Sequence, residues 1–381
     1  MMVINMNYSF EKRIEELNKL VAASKRIVFF SGAGVSTESG IPDFRSKDGL
    51  YNQNDIQFEA FSPEYLLSRE CLQNNPNVFY EFYRQKLDCR TVNPNIAHYL
   101  MAELERHGKV VSVVTQNIDD LHGKAGSTVV DEIHGTTRKN YCEDCMKEYD
   151  SNHIFESGES IPRCECGGKI RPDVTLYGEN LPWQAWNNAT DHLRNADLVI
   201  VCGTSLSVWP AAGMISYVTP RKLVIVNRDT TSMDGHASLV FHEEMGEVFS
   251  RVEFDANRTL KWLYRLESKS PDNGLWYNAD NKLVWGIGKL PECKTKDLPM
   301  DYDPRYHADG RNWFSSCSHK EDLMHWYSVK DAIDLVNNGF VFTRYLATEY
   351  TEYENETVFI KDTCLAREEI DIRDLFPGEL C

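Results

Sequence analysis

The sequence contains no run of about 18 consecutive apolar residues, the length that a helix needs to cross a membrane. Its start has no apolar core followed by a small-residue cleavage site, so we expect no secretory signal peptide. Basic residues are in the minority, since 41 Lys and Arg stand against 58 Asp and Glu, a net charge of −17. We therefore expect a cytoplasmic protein that binds neither membranes nor nucleic acid, because a phosphate backbone requires a basic surface.

A disulfide framework is not expected either, although the chain has eleven cysteines. Such frameworks belong to short secreted chains, and the scattered cysteines are expected to be free thiols. Four others form a cluster, a Cys-x2-Cys pair followed by a Cys-x-Cys pair, and this pattern is typical of tetrahedral zinc. Because sulfur fills all four positions and leaves none for water, the sequence predicts a structural zinc ion. The predicted ligands are Cys142, Cys145, Cys164 and Cys166.

Four apolar runs rich in Val and Ile alternate with helical patterns, which indicates a doubly wound, Rossmann-like α/β fold with a parallel sheet. Each run ends in a polar or glycine-rich turn, and ligands bind at the carboxyl ends of strands in such sheets. The apolar runs lie within 26–34, 109–119, 197–206 and 222–229. The helical patterns cover 11–24, 61–70, 76–87, 94–107 and 183–195.

The length of 381 residues allows two domains. Residues 136–173 interrupt the alternation and hold the cysteine cluster, so we predict a small zinc module inserted in a catalytic domain of residues 1–267. After residue 267 turn and charged residues become dense, and five of the eight tryptophans lie from Trp262 onward. We predict that 268–381 forms a separate α+β module, to which the sequence assigns no role.

A glycine-rich turn follows the first apolar run. Gly32 and Gly34 would let the backbone turn sharply and approach a phosphate closely, although a bare Gly-x-Gly is as often only a tight turn. The residues that follow it offer a hydroxyl near a helix start, then an acid, an aromatic ring and a cation around a charged, flat-ringed ligand. They are Thr37, Asp43, Phe44 and Arg45.

Polar residues also follow the other apolar runs. Gln116, Asn117 and Asp119 could hydrogen-bond a carboxamide or ribose hydroxyls, or could form an Asx-type turn that caps the next helix. His134, placed between Ile133 and a glycine, fits a general base near neutral pH, although a lone histidine is more often structural. The third and fourth runs end in residues suited to phosphate or ribose, namely Gly203, Thr204, Ser205 and Asn227.

These stretches occur in an order and at a spacing that resemble the sirtuin family, and the resemblance covers about residues 11–254. The motifs are "GAGVSTESGIPDFR", "TQNID", "IHG", "CEDC" with "CEC", "VTLYGENLP", "GTSLSVWPA", "IVN" and "GEVF". They are most similar to those of bacterial protein deacetylases. The resemblance implies NAD-dependent removal of acyl groups from lysine side chains, with transfer of the acyl group to ADP-ribose and release of nicotinamide.

The resemblance also implies roles for single residues. The substrate's acyl oxygen would be the nucleophile, Asn117 would order the ribose and a water, and His134 would be the general base. The residues implied to contact NAD are Ala33, Thr37, Phe44 and Arg45 at the diphosphate and nicotinamide side, Gln116 at a ribose, Ile118 and Asp119 at the carboxamide, and Thr204, Ser205, Asn227 and Val248 at the adenosine half.

The stretch "TLYGEN" just past the cysteines is implied to bind substrate. We expect 174–177 to be a strand edge whose backbone pairs with an extended acyl-lysine peptide. Val174 and Tyr177 would flank the acyl-lysine, and Gly178 and Glu179 would complete the contact.

Two other activities stay open at this point, an NAD hydrolase with a sensor module and a protein ADP-ribosyltransferase. The zinc cluster and the peptide-binding stretch favour the deacylase, since both serve peptide binding in the family. The oligomeric state cannot be predicted from the sequence.

Overall fold

The computed structural model describes residues 8–43, 49, 58, 60–218, 222–268, 313–353 and 356–377. It divides into two compact units, Met1–Ala256 and Asn257–Cys381. The boundary predicted between 267 and 268 therefore differs from the structure. The strand Lys261–Ser268 pairs along its whole length with Phe340–Ala347, so it belongs to the second unit.

The first unit contains a six-stranded parallel sheet and a separate three-stranded antiparallel sheet. Its strands are, in chain order, β1 (Ile27–Ser31), β2 (Val110–Thr115), β3 (Val130–Glu132), β4 (Gly135–Cys142), β5 (Glu148–Asp150), β6 (Ile170–Val174), β7 (Leu198–Cys202), β8 (Leu223–Val226) and β9 (Leu239–Phe241). Its α-helices are α1 (Phe10–Ala23), α2 (Pro63–Leu66), α3 (Arg69–Asn74), α4 (Pro76–Lys86), α5 (Ile96–Arg106), α6 (Leu121–Lys124), α7 (Asn152–Phe155), α8 (Trp183–Asn195) and α9 (Met245–Phe249).

The parallel sheet has the strand order β3-β2-β1-β7-β8-β9. The four apolar runs of the sequence form β1, β2, β7 and β8, and every residue of β1, β7 and β8 is buried, as expected for strands covered on both faces. The predicted doubly wound α/β fold is confirmed. Chain order reverses between β1 and β7, and this switch point is where such sheets bind ligands.

The helix predicted over 61–70 is wrong, because two short helices occupy this part of the chain. Ser68 lies between α2 and α3 in an extended conformation, and its side-chain Oγ accepts a hydrogen bond from the Cys71 N–H. A serine in this position starts a new helix and does not continue the previous one. The break lets the backbone of Leu67 and Arg69 hydrogen-bond with Tyr177 in the segment after β6.

The antiparallel sheet has the order β5-β4-β6 and carries the four cysteines near its ends. Its apolar side packs on α3 and α4, where Leu72, Tyr80 and Ile170 are buried in one cluster. The Tyr80 hydroxyl donates to the Ile170 carbonyl oxygen over 2.6 Å. The zinc module is thus anchored to the helices that precede it in the chain.

The second unit, in its described residues, is an α+β module with two three-stranded sheets, ordered β10-β12-β15 and β11-β14-β13. Its elements are β10 (Lys261–Ser268), β11 (Trp313–Ser316), α10 (Lys320–Trp326), α11 (Val329–Asn337), β12 (Phe340–Ala347), β13 (Tyr350–Glu352), β14 (Thr357–Ile360), β15 (Ala366–Ile370) and α12 (Ile372–Leu375). None of the helices within the described ranges is long and apolar enough to span a bilayer.

Candidate active site

The loops after β1 and β7 meet backbone to backbone at the switch point. A Cβ atom on Gly32 would lie 2.7 Å from the Thr204 Cβ, and one on Gly34 would lie 2.8 Å from the Gly203 Cα. The Gly34 N–H donates to the Gly203 carbonyl oxygen over 2.8 Å, and Gly203 has a φ of 60°. Any side chain at Gly32 or Gly34 would push the two loops apart. Glycine at these positions therefore lets the loops pack directly against each other at the floor of the site.

A buried polar network joins the β1 loop to the residues after β2. The Ser36 hydroxyl donates to Asp119 Oδ2 over 2.6 Å and accepts from Asn117 Nδ2 over 3.1 Å. Asp119 Oδ1 also accepts from the Leu121 N–H, so it forms the predicted turn bond as well. Burial raises the pKa of the Asp119 carboxyl, and the bonds from Ser36 and Leu121 oppose that rise.

Gln116 directly follows β2 and bonds both to the end of β1 and to the loop after β7. Its backbone N–H donates to the Ser31 carbonyl oxygen at the end of β1, and its side-chain Nε2 donates to Thr204 Oγ1 over 3.1 Å. The side-chain bond connects the carboxyl end of β2 to the loop after β7.

His134 follows β3 and lines the same cleft. Its Nδ1 lies 3.0 Å from the Gln116 carbonyl oxygen, which can only accept, so Nδ1 carries the proton of the neutral ring and Nε2 keeps its lone pair. Burial lowers the pKa of the imidazole, and the bond to Gln116 partly opposes the shift. A neutral ring with one free lone pair is suited to accept a proton.

The predicted residues gather in one cleft of about 580 Å³. Those that line it are Gly32, Ala33, Gly34, Thr37, Asp43, Gln116, Asn117, Ile118, His134, Val174, Tyr177, Gly178, Glu179, Gly203, Thr204, Ser205 and Asn227. Asp119 and Val248 are buried behind the lining. Phe44 and Arg45 lie outside the described residues.

Sequence reasoning missed other parts of the lining. Apolar side chains come from the helical layer and from the segment after β6, and acidic and basic ones come from the ends of β8 and β9. The missed residues include Leu67, Leu87, Leu176, Leu181, Trp209, Arg228, Asp229, Glu243 and Glu244. Arg228 and Asp229 directly follow Asn227, so the carboxyl-end rule that selected Asn227 could have found them. Leu67 and Leu87 carry no signal in the sequence beyond an ordinary helical pattern.

The predicted strand over 174–177 is shorter in the structure, because β6 ends at Val174 and only Tyr177 forms a further, isolated parallel bridge, with Ser68. The Tyr177 N–H donates to the Leu67 carbonyl oxygen, and the Tyr177 carbonyl oxygen accepts from the Arg69 N–H, each over 3.0 Å. These bonds use the gap between α2 and α3, and they occupy both backbone hydrogen-bonding groups of Tyr177. Gly178 follows with a φ of 89°, a turn that favours glycine.

Glu179 braces this turn. Its carboxylate forms a bidentate ion pair with Arg171, at 2.5 and 2.9 Å, and accepts from the Leu176 N–H over 3.0 Å. Both side chains are largely buried, and the guanidinium lowers the pKa of Glu179 against the opposing effect of burial. The Glu179 side chain therefore fixes the shape of the cleft wall.

The four cysteine sulfurs form one cluster in which all the Sγ atoms lie within 4.8 Å of one another. The sulfurs of Cys142 and Cys166 are 3.5 Å apart, and those of Cys145 and Cys164 are 3.6 Å apart. Four sulfurs bound to one zinc ion at about 2.3 Å would be ~3.8 Å from each other, so this donor set fits tetrahedral zinc.

A doubly wound sheet with a glycine-lined polar cleft at its switch point is the architecture of a dinucleotide-binding α/β protein. The Sir2 family model matches residues 32–210. The NAD-dependent protein deacetylase of Clostridium acetobutylicum is 46% identical over 242 residues, which cover 63% of this chain and 98% of that protein. The protein of the same name from Cutibacterium acnes is 46% identical over 240 residues, covering 63% and 97%.

Solved structures show the same likeness. Sir2 in complex with a p53 peptide and NAD+ is 36% identical with a TM-score of 0.55, covering 61% of this chain and 94% of that one. Sir2Tm bound to a propionylated peptide is 35% identical with a TM-score of 0.55 and the same coverage. The chain belongs to the Sir2 family.

Proposed function

We propose that this protein is an NAD-dependent protein-lysine deacylase that transfers the acyl group to ADP-ribose and releases nicotinamide. The observation that carries the proposal is the meeting of His134, Asn117 and Gln116 with the glycine loops of β1 and β7 in one cleft. The cleft lies in a unit that matches proteins named NAD-dependent protein deacetylases over nearly their whole length.

NAD, when bound, supplies the glycosidic carbon that nicotinamide leaves and that the substrate's acyl oxygen attacks. Gly32, Gly34 and Gly203 let the two loops pack directly against each other, because a Cβ atom on Gly32 or Gly34 would come within 2.8 Å of the facing loop. The diphosphate of NAD would bind on the backbone surface that these loops form. Thr204, Ser205 and Asn227 follow β7 and β8 and line the cleft, where they would hold the adenosine half.

The protein's own groups position reactants and move one proton. Asn117, held by Ser36, orders the ribose and a water. His134 accepts a proton from a ribose hydroxyl at Nε2, and the Gln116 carbonyl oxygen stabilises the ring as it becomes charged. No nucleophilic side chain is required, since the substrate's acyl oxygen fills that role.

The acyl group is neutral in this proposal. The cleft wall near Ile118 includes apolar side chains from three parts of the first unit: Leu67, Leu87, Val174, Leu176 and Leu181. An acidic acyl group would lose its hydration against such a wall without compensation. Acyl-lysine proteins or peptides are the substrates that follow, and the absence of nucleic-acid and membrane partners and the cytoplasmic location remain predictions.

The test is nicotinamide release by the full-length chain with NAD, in the presence and absence of acetyl-lysine peptide. We expect release that depends on peptide, and a panel of acetyl, propionyl and succinyl peptides should rank the succinyl peptide last. Equal release without peptide would instead indicate an NAD hydrolase, and release with ADP-ribose found on the protein would indicate an ADP-ribosyltransferase.

A further inference from the structure

Two histidines outside the cleft face each other in the core of the first unit. The rings of His98 on α5 and His122 on α6 have centroids 4.8 Å apart, and the residues are 0% and 2% exposed. Within the described part of the chain, His98 Nε2 and His122 Nδ1 have no protein partner, although both atoms are buried. Two unpartnered buried polar atoms on adjacent rings require an explanation, since burying a polar atom without a hydrogen bond costs free energy.

The hydrogen-bond network assigns the proton on the His122 ring. His98 Nδ1 lies 3.2 Å from the Asn95 N–H, a donor, and 3.0 Å from Asn95 Oδ1, an acceptor, so Nδ1 bonds to Asn95 in either tautomer and leaves Nε2 without a partner. Ser31 Oγ donates to Thr115 Oγ1 over 2.8 Å, so it accepts from His122 Nε2–H over 3.0 Å. His122 Nδ1 therefore keeps a lone pair.

Both rings are neutral. Burial lowers the pKa of His122 to about 4 and that of His98 well below its usual range. His122 Nδ1 is an unpartnered acceptor, and His98 Nε2 is unpartnered in either tautomer. A water molecule can donate to His122 Nδ1 and either accept from or donate to His98 Nε2, and buried waters in proteins satisfy polar groups of this kind.

We propose that a single internal water molecule binds between His98 Nε2 and His122 Nδ1 and completes a hydrogen-bonded chain that positions Asn117. The chain continues from His122 through Ser31 to Thr115, whose Oγ1 accepts from the Asn117 N–H over 3.0 Å. Both histidines are buried and neither lines the cleft, so they are positioning groups that do not touch substrate.

On the His98 side, the hydrogen bonds lead to the β1 loop that contains Ser36. Asn95, which contacts the His98 ring, also donates through Nδ2 to the Val35 carbonyl oxygen over 2.7 Å. Val35 precedes Ser36, the other partner of the Asn117 side chain. The water thus links the two sets of residues that hold Asn117. Thr115 bonds to its backbone N–H, and Ser36 bonds to its side-chain amide.

The water is tested directly by a high-resolution crystal structure of the full-length protein, together with NMR of protein labelled with 15N-histidine. We expect a density peak within hydrogen-bond distance of both nitrogens, and imidazole signals that assign the His122 proton to Nε2. A direct bond between the two rings, or a dry gap between them, would overturn the proposal.

The positioning role rests on the proposed deacylase function and is tested by variants at His122. His122→Phe removes the donor to Ser31 and the acceptor for water, and we expect kcat to fall roughly tenfold, the effect of one lost buried hydrogen bond, with the KM for NAD unchanged. His122→Gln keeps an N–H donor and an oxygen acceptor, so it should restore most of kcat.

His107→Phe is the control, since the His107 ring packs on Phe254 and is not part of the hydrogen-bonded series from His98 to Asn117. Equal losses in the Phe and Gln variants at His122, or a matching loss at His107, would refute the positioning role. Because wild-type turnover is measured in the same assay, an inactive wild type would instead refute the deacylase proposal. If His122→Phe fails to fold, the comparison of His122→Gln with wild type and the water density still decide the question.

Discussion

His134 and Gln116 are joined through the back of the imidazole, where Nδ1–H donates to the backbone carbonyl oxygen of Gln116 over 3.0 Å. The Gln116 side chain reaches Thr204 on the other loop of the cleft. One residue therefore sets the tautomer of the proposed base and connects two strands that form the site. This arrangement makes the proposed role of His134 testable.

His134→Ala removes the proposed base, and we expect acyl transfer to fall by roughly 10²–10⁴-fold, the usual contribution of general base catalysis. Deacylation of an acetyl-lysine peptide with NAD measures the change. His236→Ala, at an exposed histidine of the same unit, should have wild-type activity. Near-normal turnover in the His134 variant would show that another group accepts the proton.

The pH profile should follow from the lowered pKa of His134. The base acts only as the neutral ring, and a lowered pKa keeps the ring neutral to a lower pH. Activity should therefore fall as the pH decreases through a value below 6.5, the ordinary value for histidine. The acidic limb of kcat/KM, measured with saturating peptide and varied NAD, gives this value. A limb above 6.5 would contradict the effect of burial on this ring.

Ser36→Ala removes the hydroxyl that connects Asn117 and Asp119. The carboxylate would stay buried with one donor fewer, and loss of a buried partner costs about 1–3 kcal/mol, which corresponds to a decrease in kcat of roughly 5- to 150-fold. Ser39→Ala in the same loop is the matched control, because Ser39 Oγ is buried without a partner among the described residues. Similar losses in both variants would mean that the loop as a whole was disturbed.

The contacts of Ser36 show which parts of the site could be predicted from the sequence and which could not. Buried Val and Ile runs defined β1, β2, β7 and β8, since apolar periodicity records which segments lie in the core. The carboxyl-end rule then placed Gln116, Asn117 and Asn227 in one cleft. The bond between Ser36 and Asp119 joins residues 83 positions apart, and no periodic pattern records such a contact.

The pairing of Tyr177 could not be predicted for a similar reason. Tyr177 bonds to Leu67 and Arg69, which lie more than a hundred residues earlier, in an isolated parallel bridge. Local propensity does not record which distant segment a residue pairs with. The side chains of Leu67 and Leu87 likewise reach the cleft only because the helices fold over it.

The cysteine cluster should bind one zinc ion per chain, measured by elemental analysis of the purified protein. Cys145→Ser removes one of four thiolates, and we expect metal loss and a lower unfolding temperature, because structural zinc contributes folding free energy. Chelator should lower the unfolding temperature of the wild type towards that of the variant. Cys364→Ser in the second unit is the control and should keep its metal. Full stability of a metal-free wild type would contradict the structural role.

Truncation distinguishes the two candidate boundaries. A chain that ends at Ala256 keeps the complete six-stranded sheet and the cleft, so we expect it to fold and to deacylate peptide. A chain that ends at 267 also keeps most of β10 without its partner β12, which exposes the apolar side chains of Leu263 and Leu266, both buried in the intact protein. Unpaired apolar strands promote association, so the longer fragment should aggregate at concentrations where the shorter one stays monodisperse in light scattering. Aggregation of the shorter fragment alone would show that the first unit depends on the second for its stability.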